Sequence, residues 1–181
     1  MAEMIGSLLD VGAQASGGPE LDLKSLELGD EAADAVAQFL PVFSEKSVGI
    51  ALENPDANVQ ALVNSTAVHR CLDNLLGNAL RFTPSGGRVL VRVESALDPN
   101  GDRVARCEVH DTGPGIGESD RERIFEKYAT LPLTPTGQGS STGLGLYIVR
   151  KLVRLMGGTV VCLDTPLGGA CFRLDLPTAA H

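Results

Sequence analysis

Hydrophobic positions along the chain alternate between a helical and a strand period, and the changes of period outline the elements. Met1, Met4, Leu8 and Val11 recur at alternating spacings of three and four, which predicts a helix over Met1–Gln14 with a short coiled-coil seam. Ser16-Gly17-Gly18-Pro19 breaks the pattern, so residues 16–20 are expected to form a linker. Leu21, Leu23, Leu26 and Leu28 suggest an extended segment. A helix is expected over Glu31–Ser44, capped by Asp30, with Ala33, Val36, Ala37 and Leu40 inward. Pro41 is expected to kink or end it. Short strands are predicted at Val48–Leu52 and Val59–Val63. The next helix is Thr66–Arg81, with Val68, Leu72, Leu75, Leu76 and Ala79 as its apolar stripe.

Val89, Val91 and Val93 alternate with Leu90, Arg92 and Glu94, which marks a strand over Arg88–Ser95. A turn at Asp98-Pro99-Asn100-Gly101-Asp102 leads into a return strand, Val104–His110. Glu118–Tyr128 reads as a short helix, and Thr130–Thr142 has no period. Leu144–Met156 reads as a helix ended by Gly157-Gly158, with Arg150, Lys151 and Arg154 on a watery face. Val160–Leu163 and Ala170–Leu176 close as a hairpin around Pro166-Leu167-Gly168-Gly169. Strands and helices do not alternate regularly. The expected fold class is therefore α+β, a two-layer sandwich of a mixed, mostly antiparallel sheet covered by helices on one face.

Composition narrows the functions. The chain of 181 residues is 43% hydrophobic and 21% charged, enough apolar content for a core. It carries 15 Lys and Arg against 23 Asp and Glu, a net charge of -8, and has no Trp. That argues against a general nucleic-acid partner. No apolar run approaches the roughly 20 residues of a membrane span, so no membrane contact by this segment is expected. Cys71, Cys107, Cys162 and Cys171 lie in apolar or periodic segments and form no C-x-x-C pair. They read as reduced core cysteines, and the spacings argue against a zinc site.

Three clusters carry chemistry. Asn74, Asn78 and Arg81, at i, i+4 and i+7, share a helix face away from the apolar stripe. Asn is a poor helix-interior residue, so two in one row with a cation beyond them suggest a polar site, although on spacing alone a solvated helix face with a chance Asn pair is the plainer reading. An amide oxygen can ligate Mg²⁺, and Arg81 can meet a phosphate. The second cluster is Asp111-Thr112-Gly113-Pro114-Gly115-Ile116-Gly117. Asp111 shares strand parity with Cys107 and Val109, so its carboxylate points to the apolar side and needs donors. A purine amine could be one, and the glycines would let backbone approach a flat ring. A self-capped glycine turn is the plainer reading of the same residues. The third, Gly137 to Leu146, runs glycines into a helix start, where free N–H groups and the dipole suit phosphate. It lacks the G-K-[ST] of a P-loop, and a flexible loop with an ordinary helix cap is the other reading of the same residues.

Taken in this order, the clusters resemble the catalytic and ATP-binding domain of bacterial sensor histidine kinases. Its wider superfamily includes type II topoisomerases, mismatch-repair ATPases and a heat-shock chaperone. Asp73-Asn74-Leu75-Leu76-Gly77-Asn78-Ala79-Leu80-Arg81-Phe82-Thr83-Pro84 resembles the asparagine box, and Asp111–Ile116 the first glycine box. Ile124-Phe125-Glu126-Lys127-Tyr128 resembles the phenylalanine box, and Thr142-Gly143-Leu144-Gly145-Leu146 the second glycine box. The resemblance implies the Bergerat ATP-binding fold over residues 21–177, with ATP and Mg²⁺ as cofactors. It implies Asn78 as the Mg²⁺ ligand, with Asn74 and Arg81 near the phosphates and Phe82 near the nucleotide. Asp111 would receive the adenine amine, in a pocket shaped by Gly113, Gly115 and Ile116. The amides of the run Thr142, Gly143, Leu144, Gly145 and Leu146 would hold the triphosphate. Thr130–Thr142 would be a lid, with Lys127 and Tyr128 beside it and Lys127 able to reach the γ-phosphate.

The phosphoacceptor histidine of such kinases sits on a dimerisation domain. Of His69, His110 and His181, only His110 precedes an acid, and it reads as a strand residue, so no catalytic acceptor is expected in this chain. Residues 1–15 resemble the last turns of that dimerisation domain. Expected partners are a dimerisation or histidine phosphotransfer domain and a response regulator, in the cytoplasm. Two other readings of the fold are a nucleotide-gated interaction module without phosphotransfer, and a serine kinase of the anti-sigma-factor type.

Overall fold

The structure, a computed structural model, describes residues 21–56, 58–130 and 142–178. The expected helix at 1–15, the linker at 16–20 and most of the expected lid lie outside these residues. In chain order the elements are β1 (Lys24–Glu27), α1 (Leu28–Glu45), β2 (Gly49–Glu53), β3 (Gln60–Val63), α2 (Ser65–Phe82), β4 (Arg88–Leu97), β5 (Arg103–Asp111), two 3₁₀ turns (Glu118–Asp120 and Arg123–Phe125), α3 (Gly145–Leu155), β6 (Thr159–Asp164) and β7 (Ala170–Pro177).

Five strands form one sheet in the order β2-β4-β5-β7-β6, and β1 pairs with β3 in a separate ribbon. Only β2 and β4 run parallel within the large sheet. The predicted alternation sorts the two faces. Val89, Val91 and Val93 of β4, Cys107 and Val109 of β5, and Phe172, Leu174 and Leu176 of β7 are buried under the helices. Their neighbours Arg92, Glu94, Arg106 and Arg173 are only partly covered, on the other face. This is the α+β sandwich that the pattern predicts, with helices on one side.

α2 is the central helix. Asn64 caps it by accepting the Ala67 N–H at 3.0 Å. Its stripe of Val68, Leu72, Leu75, Leu76 and Ala79 is buried as predicted, joined by Ala67 and Cys71. Each large side chain so buried contributes about 1.5–3 kcal/mol. The helix stops at Phe82 because Thr83 precedes Pro84 and is held extended.

Some local expectations need correction. α1 is capped by Glu27, whose carboxylate accepts the Asp30 N–H at 2.6 Å, so Asp30 sits in the first turn instead. Its inward face is Leu28, Ala32, Ala35, Val36 and Phe43, while Ala33, Ala37 and Leu40 are exposed. The large side chains Leu28 and Phe43 set the buried face, which turns Ala33, Ala37 and Leu40 outward. Pro41 does not end α1, because Pro41 and Ala37 both face water and solvent can satisfy the carbonyl that loses its partner. Glu118–Tyr128 is two 3₁₀ turns rather than one helix; Ile124 and Phe125 are its buried anchors. Arg150 is not simply solvated: it pairs with Glu122 at 2.8 Å and lies over the Phe125 ring at 5.5 Å, tying the second turn to α3.

Candidate functional site

Both glycine loops meet α2. A Cβ on Gly145 would lie 2.8 Å from Asn74 Oδ1, so the start of α3 sits against the asparagine face and has room only for hydrogen. A Cβ on Gly113 would lie 3.1 Å from the Phe82 carbonyl oxygen and 2.9 Å from Asp111 Oδ1. The loop after β5 therefore closes on the far end of the same helix. Between α1 and α2 lies a cleft of about 720 Å³, lined by Val42, Glu45, Lys46, Asp73, Asn74, Gly77, Asn78, Leu80 and Arg81. That volume is in the range of small-molecule sites. The Asn74, Asn78 and Arg81 row thus faces a cleft, not bulk solvent.

Within the row, Asn74 Nδ2 donates to the Arg70 carbonyl at 2.7 Å, which orients the amide with its oxygen toward Gly145. The Arg81 guanidinium lies 5.8 Å from the centre of the half-buried Phe82 ring. Lys46, at the end of α1, donates to the carbonyls of Leu80 and Arg81 and so holds the last turn of α2. Burial lowers the Lys46 pKa.

Asp111 is 6% exposed and points inward, as its parity predicts. Its Oδ1 accepts two backbone N–H groups, Gly113 at 2.8 Å and Ala170 at 3.2 Å. Burial raises its pKa, and those two hydrogen bonds oppose the rise. The second oxygen, Oδ2, is left for a further donor. Gly115 has φ +72 and packs against Gly169, where a Cβ would lie 3.2 Å from the carbonyl oxygen. Ile116 packs on the edge of the core. Thr112 Oγ1 accepts the Arg88 N–H at 3.0 Å and pins the loop to β4.

The remaining residues flank residues 131–141. Tyr128 has φ +64, rare for a bulky residue, and its N–H donates to the Gly143 carbonyl at 3.0 Å. Gly143 has φ +66, and a Cβ there would lie 2.7 Å from the Tyr128 carbonyl carbon. This clasp joins the two ends of the segment expected to be a lid. Lys127 is exposed, its ammonium 5.4 Å from the Tyr128 ring centre. Thr142 is exposed and Leu146 half-buried. Leu144 precedes α3 and, being apolar, offers no side-chain cap to the first N–H groups of that helix.

Two residues of this constellation escape the sequence reading. Gly169 has no room for a side chain: a Cβ there would strike the Asp111 carbonyl oxygen and Oδ1 and lie 2.7 Å from the Gly113 nitrogen. Ala170 supplies the second N–H to Asp111. The signal was present in the doubled glycine. Only Gly168, at φ +93, meets the turn's need for a left-handed residue, so Gly169 requires another reason.

The cysteines are buried, and burial pushes their thiols up, to about 12 for Cys71, Cys107 and Cys171 and about 11 for Cys162. Without a metal ion beside them such thiols stay protonated. No helix among the described residues is long and apolar enough to cross a membrane.

Comparison with known proteins gives a family and a fold. Residues 63–180 match the family described as histidine kinase-, DNA gyrase B-, and HSP90-like ATPase. Hybrid signal transduction histidine kinase D of Dictyostelium discoideum is 34% identical over 98% of this chain, which spans 11% of that protein. The catalytic domain of the histidine kinase ThkA has the same fold, with a TM-score of 0.74 and 22% identity over 87% of this chain and 97% of that domain. Full-length ShkA, solved with AMPPNP, is 31% identical with a TM-score of 0.72, over 92% of this chain and 34% of its own.

Proposed function

Because the chain belongs to the family of histidine kinase-, DNA gyrase B- and HSP90-like ATPases, we propose that it binds Mg·ATP and transfers the γ-phosphate to a histidine on a separate dimerisation domain. The observation that carries this reading is Asp111. One of its oxygens is saturated by two backbone N–H groups, and the other is left for an adenine amine.

In this reading Asp111 Oδ2 accepts from the exocyclic amine, and Gly113, Gly115 and Ile116 leave room for the ring. A buried acceptor that selects an N–H donor also disfavours a purine carbonyl at that position. Phe82 borders the nucleotide. Asn74 and Arg81 face the phosphates from α2, and the amides from Thr142 through Gly143, Leu144 and Gly145 to Leu146 face them from α3. The dipole of α3 adds to this attraction. Asn78 offers its amide oxygen to Mg²⁺, a hard cation suited to oxygen ligands. Bound there, Mg²⁺ would neutralise phosphate charge during transfer. Lys127 and Tyr128 stand at one end of the segment expected to be a lid, from which Lys127 would reach the γ-phosphate. Catalysis by these groups is positioning and charge stabilisation. The chain's partners would be the dimerisation or histidine phosphotransfer domain and a response regulator, in the cytoplasm. The ShkA structure with AMPPNP supports nucleotide use by this type of domain.

The test is calorimetric titration with a non-hydrolysable ATP analogue, with and without Mg²⁺. The native chain should bind with a Mg²⁺-dependent gain. Asp111→Asn should lose about 100-fold or more, since its amide presents a donor to a donor. Asn78→Ala should lose most of the Mg²⁺ dependence. Supplied with a histidine domain, the chain should form an acid-labile phosphoryl bond; acid-stable phosphate would indicate a serine acceptor. A folded native chain that binds no nucleotide overturns the proposal.

A further inference from the structure

The sheet face away from the helices carries a chequerboard of ion pairs. Arg92 pairs with Glu94 at 3.0 Å, Arg106 with Asp175 at 2.7 Å, and Arg173 with Glu108 at 2.7 Å. One corner departs from this pattern. His110 lies opposite Cys171 in the β5–β7 register, and Glu108 precedes it by two residues on the same face. Glu108 is 7% exposed and Cys171 1%. His110 Nε2 lies 3.0 Å from Glu108 Oε2 and 3.9 Å from Cys171 Sγ, and one ligand atom from each residue falls within 4.8 Å of the others. Among the described residues this is the one group of three His, Cys or acidic side chains so arranged.

The ring's other nitrogen is provided for. His110 Nδ1 lies 3.0 Å from Thr165 Oγ1, which also accepts the Leu167 N–H at 3.2 Å. A hydroxyl can donate to Nδ1 or accept from Nδ1–H. With Nε2 protonated, the ring donates to Glu108 and can serve only one of its two neighbours on that side. With the proton on Nδ1, the Nε2 lone pair, a carboxylate oxygen and a sulfur converge on one point. Arg173 occupies the other oxygen, Oε1, and leaves Oε2 available.

We propose that Glu108 Oε2, His110 Nε2 and Cys171 Sγ form a Zn²⁺ site, with water as the fourth ligand. One oxygen, one nitrogen and one sulfur form a borderline set that suits Zn²⁺, whereas Mg²⁺ takes oxygen. Tetrahedral zinc with bonds near 2.0–2.3 Å needs ligand atoms about 3.3–3.6 Å apart. The 3.0 Å and 3.9 Å separations bracket that range and the third pair lies within 4.8 Å, so side-chain shifts of about an ångström bring the three atoms to it. Binding releases the thiol proton of Cys171 and moves the ring proton to Nδ1, where Thr165 accepts it and fixes the tautomer. The carboxylate and thiolate then balance the ion's charge, and Arg173 stays paired to Oε1. The site backs directly onto Asp111: His110 precedes it in β5, and Cys171 follows the Ala170 whose N–H holds it.

The experiment uses the untagged full chain, stripped with a chelator and dialysed against Zn²⁺ in excess Mg²⁺. One zinc per chain is expected. Co²⁺ in its place should give strong tetrahedral visible bands and a sulfur-to-cobalt charge-transfer band. Cys171→Ser should abolish the charge-transfer band, and His110→Gln should weaken zinc binding at least about tenfold. Cys162→Ser, a buried thiol on the opposite face, should change neither. Far-UV circular dichroism identifies variants that fail to fold, and Cys171→Ala then replaces Cys171→Ser. Substoichiometric zinc in the folded native chain, no charge-transfer band, or an unchanged band in a folded Cys171 variant overturns the site.

Discussion

Gly168 and Gly169 are adjacent, yet the structure assigns them different costs. At Gly168 the backbone has φ +93 and a Cβ would meet nothing within 4 Å. Gly168→Ala should therefore cost only left-handed strain, about 1–3 kcal/mol of stability. At Gly169 the new methyl would strike the Asp111 carbonyl oxygen and Oδ1 and lie 2.7 Å from the Gly113 nitrogen. Two of these three atoms are backbone, so the β7 entry and the loop after β5 must separate. Overpacking of this kind costs about 1–3 kcal/mol of stability, similar to Gly168→Ala. Separation also breaks the 3.2 Å hydrogen bond from Ala170 and re-aims the carboxylate. A hydrogen bond to a charged group is worth about 1.5–3 kcal/mol, so ATP-analogue affinity should fall roughly 10- to 100-fold. Denaturant titration should show both variants similarly destabilised. Calorimetric binding, at a temperature where both are folded, should show the loss in Gly169→Ala alone. Equal affinities in the two variants, or native affinity in Gly169→Ala, would refute the reasoning.

Three further outcomes follow from the geometry. Hydrogen bonds from His110 and then Arg173 hold Glu108 well below its ordinary 4.5, at about 2. A depressed carboxylate contributes stability above its unfolded pKa and loses it as pH falls through the folded one. Chelator-treated protein should thus lose up to about 3 kcal/mol between pH 4.5 and 2, and Glu108→Gln should flatten that part of the acid denaturation curve. An unchanged curve in Glu108→Gln would count against it. Gly145→Ala gains about 1 kcal/mol of helix propensity but drives a methyl to 2.8 Å from Asn74 Oδ1. Melting should shift little while ATP-analogue affinity falls about tenfold, and native affinity would contradict the contact. Leu75→Ala, at 0% exposure in the centre of α2, should cost about 2–5 kcal/mol by denaturant unfolding.

Much of the fold is legible along the chain because burial repeats with the period of each element. The valines of β4 and the stripe of α2 fall where their spacing puts them, and Asp111 points inward as its parity requires. The boundaries of α1 are less legible. Glu27 and Asp30 are both competent caps, and only the contact of Val59 with Glu27 decides between them: Glu27 Oε1 accepts the Val59 N–H at 3.0 Å. Pro41 depends likewise on which way its missing hydrogen bond faces.

The four boxes, and with them the family, were readable from the sequence alone, because each box is local and its chemistry depends on neighbours a few positions apart. Tertiary structure alone decided what Asp111 accepts, why Gly169 must be glycine, and that Glu108, His110 and Cys171 converge. Those contacts join positions about 60 residues apart. A spacing rule for metal ligands cannot see them, because β-pairing, not chain separation, sets which side chains meet.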